Sequence, residues 1–320
     1  MKLPKYFKEY EVSNISAMIK NNRRDPRICT DDFKDRLVVI SGATAGIGYL
    51  TAIKFASHGA NLLCINRNKE KSTALKEEIE REFGVSCEYI LADMSIMADV
   101  RRAAEELQKT DTPIDVLVHN AGVHRTKREL TPEGFDKVFM VNHLSSFMIN
   151  ILLGEKLKSQ KEARIILVNS EGHRFAAWGL KLDDLNWEKR RYSGLKSYGS
   201  AKLAQLQTML VFEEYFRDSG VSINAMHPGA VRSETGKENG ALYRWFKRNF
   251  FDKMLRPTEI GSESIYYLGV SKDMAAASGK FFNLTTEEEP APPALDKEAA
   301  LEIWAKSVEM TKVQDIIQVT

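Results

Sequence analysis

The sequence predicts an α/β fold in which a doubly wound parallel sheet is flanked by helices, in a single domain with an N-terminal and a C-terminal extension. Three observations support this prediction. Short apolar runs rich in Val, Ile and Leu alternate with longer segments whose apolar residues recur at helical spacing. The first run leads directly into a glycine-rich turn and a helix. Small or polar residues follow the successive strands, where ligands gather in such folds.

Composition limits the classes of protein. The chain has 320 residues, of which 43% are hydrophobic and 28% charged, which suits a globular protein with a sizeable core. The 46 Lys and Arg residues nearly balance 44 Asp and Glu, so we expect no nucleic acid partner. Cys29, Cys64 and Cys87 lack metal-ligand spacing and are expected to be free thiols, with no metal bound. No run approaches the roughly 18 apolar residues of a membrane span, and no signal-peptide core is seen. The expected location is cytoplasmic.

Residues 1–35 form an N-terminal extension before the first strand. Apolar and polar residues alternate from Tyr6 to Ile19, and Arg23, Arg24 and Arg27 follow. This pattern favours a short helix packed on the outside of the domain. An apolar and basic segment also suits peripheral contact with an anionic membrane surface or a partner. The sequence leaves these alternatives open.

The glycine turn lies between the first strand and the first helix of the domain. Residues 37–48 read LVVISGATAGIG, and the helical segment YLTAIKFASHG follows. Unpaired N–H groups at a helix N-terminus favour an anion, and glycine is needed where a Cβ would block its approach. The motif in this context predicts a nucleotide site. A tight turn without a ligand is the alternative.

The second strand, 61–65, ends in Asn66, Arg67 and Asn68. In dinucleotide-binding folds, the residue about 20 positions beyond the glycine turn meets the adenosine ribose. An acidic residue there selects the free 2′-hydroxyl, and an arginine accommodates a 2′-phosphate. Arg67 therefore favours NADP(H), with NAD(H) as the weaker alternative. The alternative is that Arg67 is only a solvated charge at the start of the next helix.

Strand and helix segments continue to alternate along the chain. We predict strands at 86–91, 115–119, 164–168 and within 279–283, and helices at 69–83, 96–109, 131–157, 197–219, 258–268 and 295–313. Because parallel strands end at one edge of the sheet, Asp93, Asn120 and Ser170 are expected to lie near the glycine turn. Asp93 is placed to accept a hydrogen bond from an adenine amino group. Ser95 is a candidate N-cap of the helix that follows.

A tyrosine and a lysine, Tyr198 and Lys202, lie one turn apart on one face of a predicted helix. A phenol has a pKa near 10, so acid–base chemistry at neutral pH calls for a lower value. An ammonium group about 4 Å away supplies roughly the shift needed. The pair is a candidate proton donor and its activator, although this spacing is common on helices by chance.

Taken together, these motifs resemble the short-chain dehydrogenase/reductase family. The motifs that follow the family's order and approximate spacing, across about residues 36–283, are SGATAGIG, Asp93, HNAG at 119–122, Asn142, Ser170, Tyr198, Lys202 and HPG at 227–229. Within the family, the chain is similar to the retinol-dehydrogenase-like carbonyl reductases. The similar segments are VNSEGH at 168–173, MHPGAVRS at 226–233 and GKFFN at 279–283.

The resemblance implies a Rossmann-type catalytic domain over residues 36–285 and a role for each matching residue. Tyr198 exchanges a proton with the substrate oxygen, and Ser170 holds that oxygen. Lys202 lowers the tyrosine pKa and binds the nicotinamide ribose, while Asn142 holds a water of the proton relay. The residues expected at the cofactor are Gly42, Thr44, Ala45, Gly46, Ile47, Gly48, Asn66, Arg67, Asp93, Met94, Asn120, Ala121, Gly122, Tyr198, Lys202, Pro228, Gly229, Val231 and Ser233.

Three positions depart from the family's pattern. Ser41 opens the turn where Thr is usual, and the hydroxyl is kept. His119 replaces the first Asn of the NNAG motif, so the packing beside the nicotinamide is expected to differ. Ser233, preceded by Arg232, stands where a Thr near the carboxamide is usual.

Aromatic and basic residues alternate between Ser233 and Pro257. In the family this segment covers the substrate, so its aromatic residues favour an apolar or bulky substrate. The alternatives are an amphipathic helix packed on the sheet and a segment that contacts a membrane. Residues 286–320 are predicted as a Pro-rich linker, solvated over 287–293, and a final helix with Leu301, Trp304 and Val308 on one face.

These inferences predict an NADP(H)-dependent oxidoreductase that transfers hydride between nicotinamide and a carbonyl or alcohol. Its expected partner is a small-molecule substrate. The sequence does not decide whether the protein forms a homo-oligomer. The alternative is a non-catalytic NADP(H)-binding regulator of the same fold. The complete set of Ser170, Tyr198 and Lys202 argues against that alternative.

Overall fold

The computed structural model describes residues 5–22, 24–229 and 257–316. The strands within these ranges are β1 (Leu37–Ser41), β2 (Asn61–Asn66), β3 (Cys87–Leu91), β4 (Ile114–His119), β5 (Ala163–Val168), β6 (Val221–His227), β7 (Phe281–Asn283) and β8 (Thr286–Glu287). The α-helices are α1 (Val12–Asn21), α2 (Gly46–Ser57), α3 (Lys69–Phe83), α4 (Met97–Gln108), α5 (Lys137–Phe139), α6 (Ser145–Lys158), α7 (Gly194–Tyr215), α8 (Glu259–Val270) and α9 (Lys297–Thr311). A π-helical turn, Met140–Leu144, joins α5 to α6.

These strands form one sheet in the order β3-β2-β1-β4-β5-β6-β7-β8. Neighbouring strands are parallel throughout, except that β7 and β8 are antiparallel. The chain moves outward from β1 in one direction and then returns to add β4 on the other side, which defines a doubly wound sheet. The predicted fold class is confirmed.

Helices cover both faces of the sheet, because its central strands are apolar on both sides. In β1, Val39 packs into one core while Val38 and Ile40 pack into the other. The first core contains residues of α4, α6, α7 and α9, and the second contains residues of α2, α3 and α8. A parallel sheet buried in this way positions its strand ends rigidly.

Most predicted elements are confirmed to within a few residues, and α3 matches its predicted range, 69–83. The helix predicted from residue 131 begins instead at Lys137, because the Asp136 side chain caps it by accepting the Phe139 N–H. Ser95 is not an N-cap. Its N–H and hydroxyl both donate to Asp93 Oδ1, at 2.8 and 2.7 Å. Strands β6 and β8 were not among the predicted strands.

The segment Lys137–Lys158 is the one candidate membrane span, by length and composition, in the described part of the chain. Its best 18-residue window has a mean hydropathy of 1.2, and 94% of that window is buried inside the structure. The apolar character of this segment is therefore accounted for by packing against the sheet.

The stretch predicted as solvated, 287–293, is solvated only in part: Glu287 and Glu289 are exposed, but most of the remaining residues are buried. Residues 291–294 are buried, and Glu288 is only 6% exposed. Glu288 Oε1 accepts a hydrogen bond from Arg174 at 3.1 Å, and Oε2 accepts from Asn21 at 2.9 Å and Asn283 at 3.2 Å. The predicted solvation was wrong for Glu288 and for 291–293, because the partners of Glu288 are distant in sequence and leave no local pattern.

The two extensions also contact each other and the domain. The Tyr6 hydroxyl donates to Asp296 Oδ2 at 2.8 Å, and the Arg27 N–H donates to Thr285 Oγ1 at 2.8 Å. On α9, Ile303 and Ser307 face inward, whereas Leu301 is 61% exposed and was wrongly placed on the apolar face. The division of the chain at residues 35 and 285 stays a prediction.

We predict that Glu288→Ala lowers the free energy of unfolding by about 3 kcal/mol, because buried donors then lose their charged acceptor. The adjacent Glu287→Ala is the matched control. Glu287 is exposed and pairs with Lys280 at 2.9 Å on the surface, so its loss should cost less than about 1 kcal/mol. Urea unfolding measures both. Equal losses would contradict the assignment of Glu288 as a buried link between the extensions.

Candidate active site

The carboxyl ends of the parallel strands bring the predicted site residues to one edge of the sheet. After β1 come Gly42, Thr44, Ala45, Gly46, Ile47 and Gly48, and β2 ends at Asn66, which Arg67 follows. Asp93 and Met94 follow β3, and Asn120, Ala121 and Gly122 follow β4. Ser170 follows β5, and Pro228 and Gly229 follow β6. Tyr198 and Lys202 are on α7. Val231, Ser233 and the rest of the segment 230–256 lie outside the described residues.

The glycine turn has the shape that a phosphate site needs. Gly42 has a φ of +72°, in the left-handed region that favours glycine. A Cβ at Gly48 would lie 2.2 Å from the Gly42 carbonyl oxygen and 2.4 Å from Asn120 Nδ2. Helix α2 begins at Gly46 within this turn, so its first N–H groups are presented there.

Hydrogen bonds from neighbouring strands hold the turn. Asn66 Oδ1 accepts the Ala43 N–H at 2.8 Å. Ser41 Oγ accepts the N–H groups of Asn120 and Ala121, both at 3.1 Å. The hydroxyl that Ser41 shares with Thr makes both of these bonds, which explains why this departure from the family pattern is tolerated.

Asn66 supplies a further test of whether the residues fit a nucleotide. It is 2% exposed, and its Nδ2 has no hydrogen-bond partner among the described residues. A buried donor at the end of a strand, beside a glycine turn, suits a ligand oxygen. The exposed Arg67 follows directly. The turn, the orphaned amide and the cation together fit a dinucleotide.

Asp93 is partly engaged within the protein. Its Oδ1 accepts the two hydrogen bonds from Ser95, and its N–H donates to Asp99 Oδ2 at 2.9 Å. Met94, the next residue, is 6% exposed. The carboxylate is thus fixed at the end of β3, where an adenine would lie.

The structure brings Ser170 and Tyr198 together. Ser170 Oγ accepts the Gly172 N–H at 3.0 Å. A Cβ at Gly172 would lie 2.7 Å from the Tyr198 ring and 3.2 Å from Ser170 Oγ, so glycine permits this approach. Burial raises the pKa of Tyr198, and the hydrogen bond with Ser170 lowers it by less.

Lys202 is buried between α7 and the end of β5. It is 3% exposed, and its Nζ donates to the Val168 carbonyl at 2.7 Å and lies 5.9 Å from the centroid of the Tyr198 ring. Burial lowers the pKa of Lys202 to about 7. We expected Lys202 to lower the pKa of Tyr198. In this structure the net shift of the phenol pKa is upward, because burial outweighs the other influences.

Asn142 lies in the π-helical turn, a feature that often marks functional sites. Its Nδ2 donates to the carbonyl oxygens of Val123 and Val138, each at 2.8 Å, and its Oδ1 accepts the Val123 N–H at 3.2 Å. The side chain thus holds the segment after β4 beside α6. Its role in holding a water stays a prediction.

Four histidines near the sheet edge and the π-helical turn are buried and neutral. Burial lowers the pKa of His119 and His227 to about 4, and of His143 and His173 to about 3. His119 Nε2 hydrogen-bonds to Asn150 Oδ1 at 2.7 Å. A partner on α6 therefore accommodates the histidine that replaces the family's usual asparagine.

Two residues at the site were not singled out from the sequence. Asn169 Oδ1 accepts the Ser170 N–H at 2.7 Å. His173 Nδ1 bonds to the Ser170 carbonyl at 2.8 Å, and its Nε2 accepts the Ala291 N–H at 3.0 Å. The main chain of Ser170 is therefore held on both sides by buried side chains. The one sequence signal for Asn169 and His173 was that they lie close to Ser170 in the chain. The contact between His173 and Ala291 could not be foreseen, because Ala291 is far from His173 in the sequence.

Comparison with known proteins agrees with this geometry. A family model described as short chain dehydrogenase matches residues 36–179. Human retinol dehydrogenase 13 is 32% identical over 286 residues, which cover 87% of this chain and 85% of that protein. The fold and site define a nicotinamide-dependent oxidoreductase. The chain belongs to the short-chain dehydrogenase/reductase family, as a retinol-dehydrogenase-like member.

Solved structures share the fold. An uncharacterized protein from Mycobacterium paratuberculosis superposes with a TM-score of 0.70 at 26% identity, covering 88% of this chain and 95% of that chain. A short chain dehydrogenase from Burkholderia cenocepacia, solved in complex with NADP, has a TM-score of 0.62 at 18% identity, covering 82% and 99%.

The buried histidines predict acid sensitivity. The pKa of each histidine in the folded state is below its value near 6.5 in the unfolded state. At pH 5 each therefore takes up a proton on unfolding, and the free energy of unfolding decreases as the pH is lowered. Burial raises the pKa of Asp136 to about 6 and of Glu171 to about 7, so these two release protons and oppose the trend. A net uptake of about two protons lowers the free energy of unfolding by about 3 kcal/mol per pH unit near pH 5.

Urea unfolding at several pH values measures this slope. The variant His119→Asn, which restores the usual family residue, should have a slope that is shallower by about 1.4 kcal/mol per pH unit. A wild-type free energy of unfolding that stays flat between pH 6 and 5 would contradict the burial of neutral histidines.

Proposed function

We propose that the protein is an NADP(H)-dependent carbonyl reductase in which Tyr198 is the proton donor to the substrate oxygen. The observation that carries this proposal is the convergence of Ser170, Tyr198 and Lys202 at the sheet edge that carries the glycine turn. An oxyanion that forms there would meet the hydroxyl groups of Ser170 and Tyr198, since Ser170 Oγ and the Tyr198 ring both lie against Gly172.

The cofactor supplies the hydride when it is bound. Backbone N–H groups of the glycine turn and Asn66 Nδ2 would hold its phosphate and ribose oxygens. Arg67, exposed at the end of β2, would pair with a 2′-phosphate, and no acidic residue stands at that position to favour a free hydroxyl. The NADP complex of the Burkholderia relative is in keeping with this choice.

The protonation state of the site favours reduction. A phenol is protonated at neutral pH, and burial raises the pKa of Tyr198 further, so Tyr198 would enter the reduction in its acid form. The Ser170 hydroxyl lies beside it and would align the carbonyl oxygen. Lys202, fixed by the Val168 carbonyl, would present its remaining N–H groups to a ribose hydroxyl.

The surroundings of Tyr198 favour an apolar or bulky substrate. Phe175 and Leu195 are 51% and 54% exposed. Phe175 follows Ser170 by five residues, and its Cβ would be 2.8 Å from a Cβ at Gly199, the neighbour of Tyr198. Exposed apolar side chains beside a polar site suit a carbonyl compound with an apolar body. A retinol dehydrogenase among the relatives is in keeping with this class.

We further propose a cytoplasmic protein with peripheral membrane contact. Phe7 of the N-terminal extension and Trp178 are each 52% exposed, with ring centroids 6.4 Å apart. Exposed paired aromatic rings suit the interface between water and a bilayer.

We predict that Tyr198→Phe lowers kcat for carbonyl reduction by about 10²- to 10⁴-fold, because the ring is kept and the donated proton is lost. NADPH binding, followed by nucleotide fluorescence, should persist. Tyr215→Phe is the control, since Tyr215 lies on the same helix with its hydroxyl on surface Glu155 at 3.0 Å.

Full activity of Tyr198→Phe would overturn the mechanism. Tight NADPH binding by the wild type without turnover, across a broad panel of lipophilic aldehydes and ketones, would favour the non-catalytic regulator.

We predict that Arg67→Ala weakens NADPH binding by about 10- to 100-fold, the range for losing a charge-assisted hydrogen bond, and leaves NADH binding nearly unchanged. Lys69→Ala removes an exposed cation two residues away and serves as the control for general electrostatics. Equal losses for the two nucleotides would refute the assignment of NADP(H) through Arg67.

A further inference from the structure

The last residues of β5 bind directly to the turn of α7 that carries Tyr198 and Lys202. The Val168 carbonyl accepts the hydrogen bond from Lys202 Nζ. The next residue, Asn169, donates from Nδ2 to the Lys202 main-chain carbonyl at 3.0 Å. The strand therefore holds both the side chain and the main chain of the lysine.

The side chain of Asn169 also holds the main chain of the next residue, Ser170. Its Oδ1 accepts the Ser170 N–H at 2.7 Å, while Nδ2 makes a second bond to Gln205 Oε1 at 2.9 Å. Asn169 is 3% exposed, so these three bonds form away from water, where a poorly placed amide is costly. The orientation of the amide is therefore determined on both sides.

We propose that Asn169 is a positioning residue for the reaction: its side-chain amide sets the spacing between Ser170 and the α7 turn that bears Tyr198 and Lys202. This inference rests on the proposed function, which assigns Ser170 and Tyr198 to the same substrate oxygen. A displacement of about 1 Å in such a pair costs up to about 100-fold in rate. Lys202 Nζ keeps its bond to the Val168 carbonyl when the Asn169 amide is lost, and the glycine turn would hold the phosphates, so nucleotide binding should change little.

Asn224 offers a matched control elsewhere in the sheet. It is 6% exposed, its Nδ2 donates to the Ala277 carbonyl at 2.7 Å, and its Oδ1 accepts the Lys280 N–H at 3.0 Å. It pairs with Ile166 inside the sheet and so lies below the strand ends. Asn224→Ser removes a buried amide of the same kind without touching Ser170 or α7.

The experiment compares kcat, KM, NADPH affinity and the urea midpoint for the wild type, Asn169→Ser and Asn224→Ser. Both variants should lose comparable stability. Only Asn169→Ser should lose kcat, by about 10- to 100-fold, with KM and NADPH affinity within about twofold of the wild type.

A second variant, Asn169→Asp, keeps the size of the side chain and supplies a readout that a merely structural role would not move. Its ionised carboxylate would face two acceptors, the Lys202 carbonyl and Gln205 Oε1, and repel them. Protonation restores a donor, and burial raises the pKa of such a carboxyl into the accessible range. The kcat of Asn169→Asp relative to the wild type should therefore rise as the pH falls from about 8 to about 5.

Wild-type kcat in Asn169→Ser, equal kcat losses in the two serine variants, or a pH-independent ratio for Asn169→Asp would each overturn the positioning role. An inactive wild type, or a fully active Tyr198→Phe, would instead contradict the proposed function and the inference with it.

Discussion

The parallel alignment of β1, β4 and β5 is the constraint on which the site depends. Parallel strands all end at the same edge of the sheet, so the glycine turn, the Asn120 loop and Ser170 are brought together although 128 residues separate Gly42 from Ser170 in the numbering. Burial of both faces of the sheet fixes these ends in space. The placement of these groups therefore follows from the topology of the sheet.

Helix α7 is held to that edge by polar bonds as well as by its apolar face. The Val168 carbonyl and the Asn169 amide bond to Lys202, and Tyr198 lies one turn before it. Buried polar bonds of this kind have one satisfied geometry, whereas apolar packing tolerates small shifts. This difference is in keeping with the buried Asn169 and His173 side chains that hold the main chain of Ser170.

The fold and the placement of Ser170, Tyr198 and Lys202 near one sheet edge were predictable from the sequence because their signals are local. Residues 37–48 contain a strand, a glycine turn and the start of a helix in one stretch. The spacing of Tyr198 and Lys202 is enough to place them on one face of a helix. The contacts of Glu288, His173 and Asn169 were not predictable, since their partners lie on distant elements. The rise in the Tyr198 pKa was missed for a related reason: it is caused by burial, and the burial of a side chain depends on the whole fold. The role of Lys202 in lowering this pKa stays a prediction.

The proposed mechanism requires the hydroxyl groups of Ser170 and Tyr198 to reach one substrate oxygen beside the nucleotide. A crystal structure with NADPH and a non-reactive ketone analogue tests it most directly. We expect both hydroxyl oxygens to lie about 2.6–3.2 Å from the analogue's oxygen. An analogue bound against other residues, or one whose oxygen is out of hydrogen-bond reach of Tyr198, would contradict it.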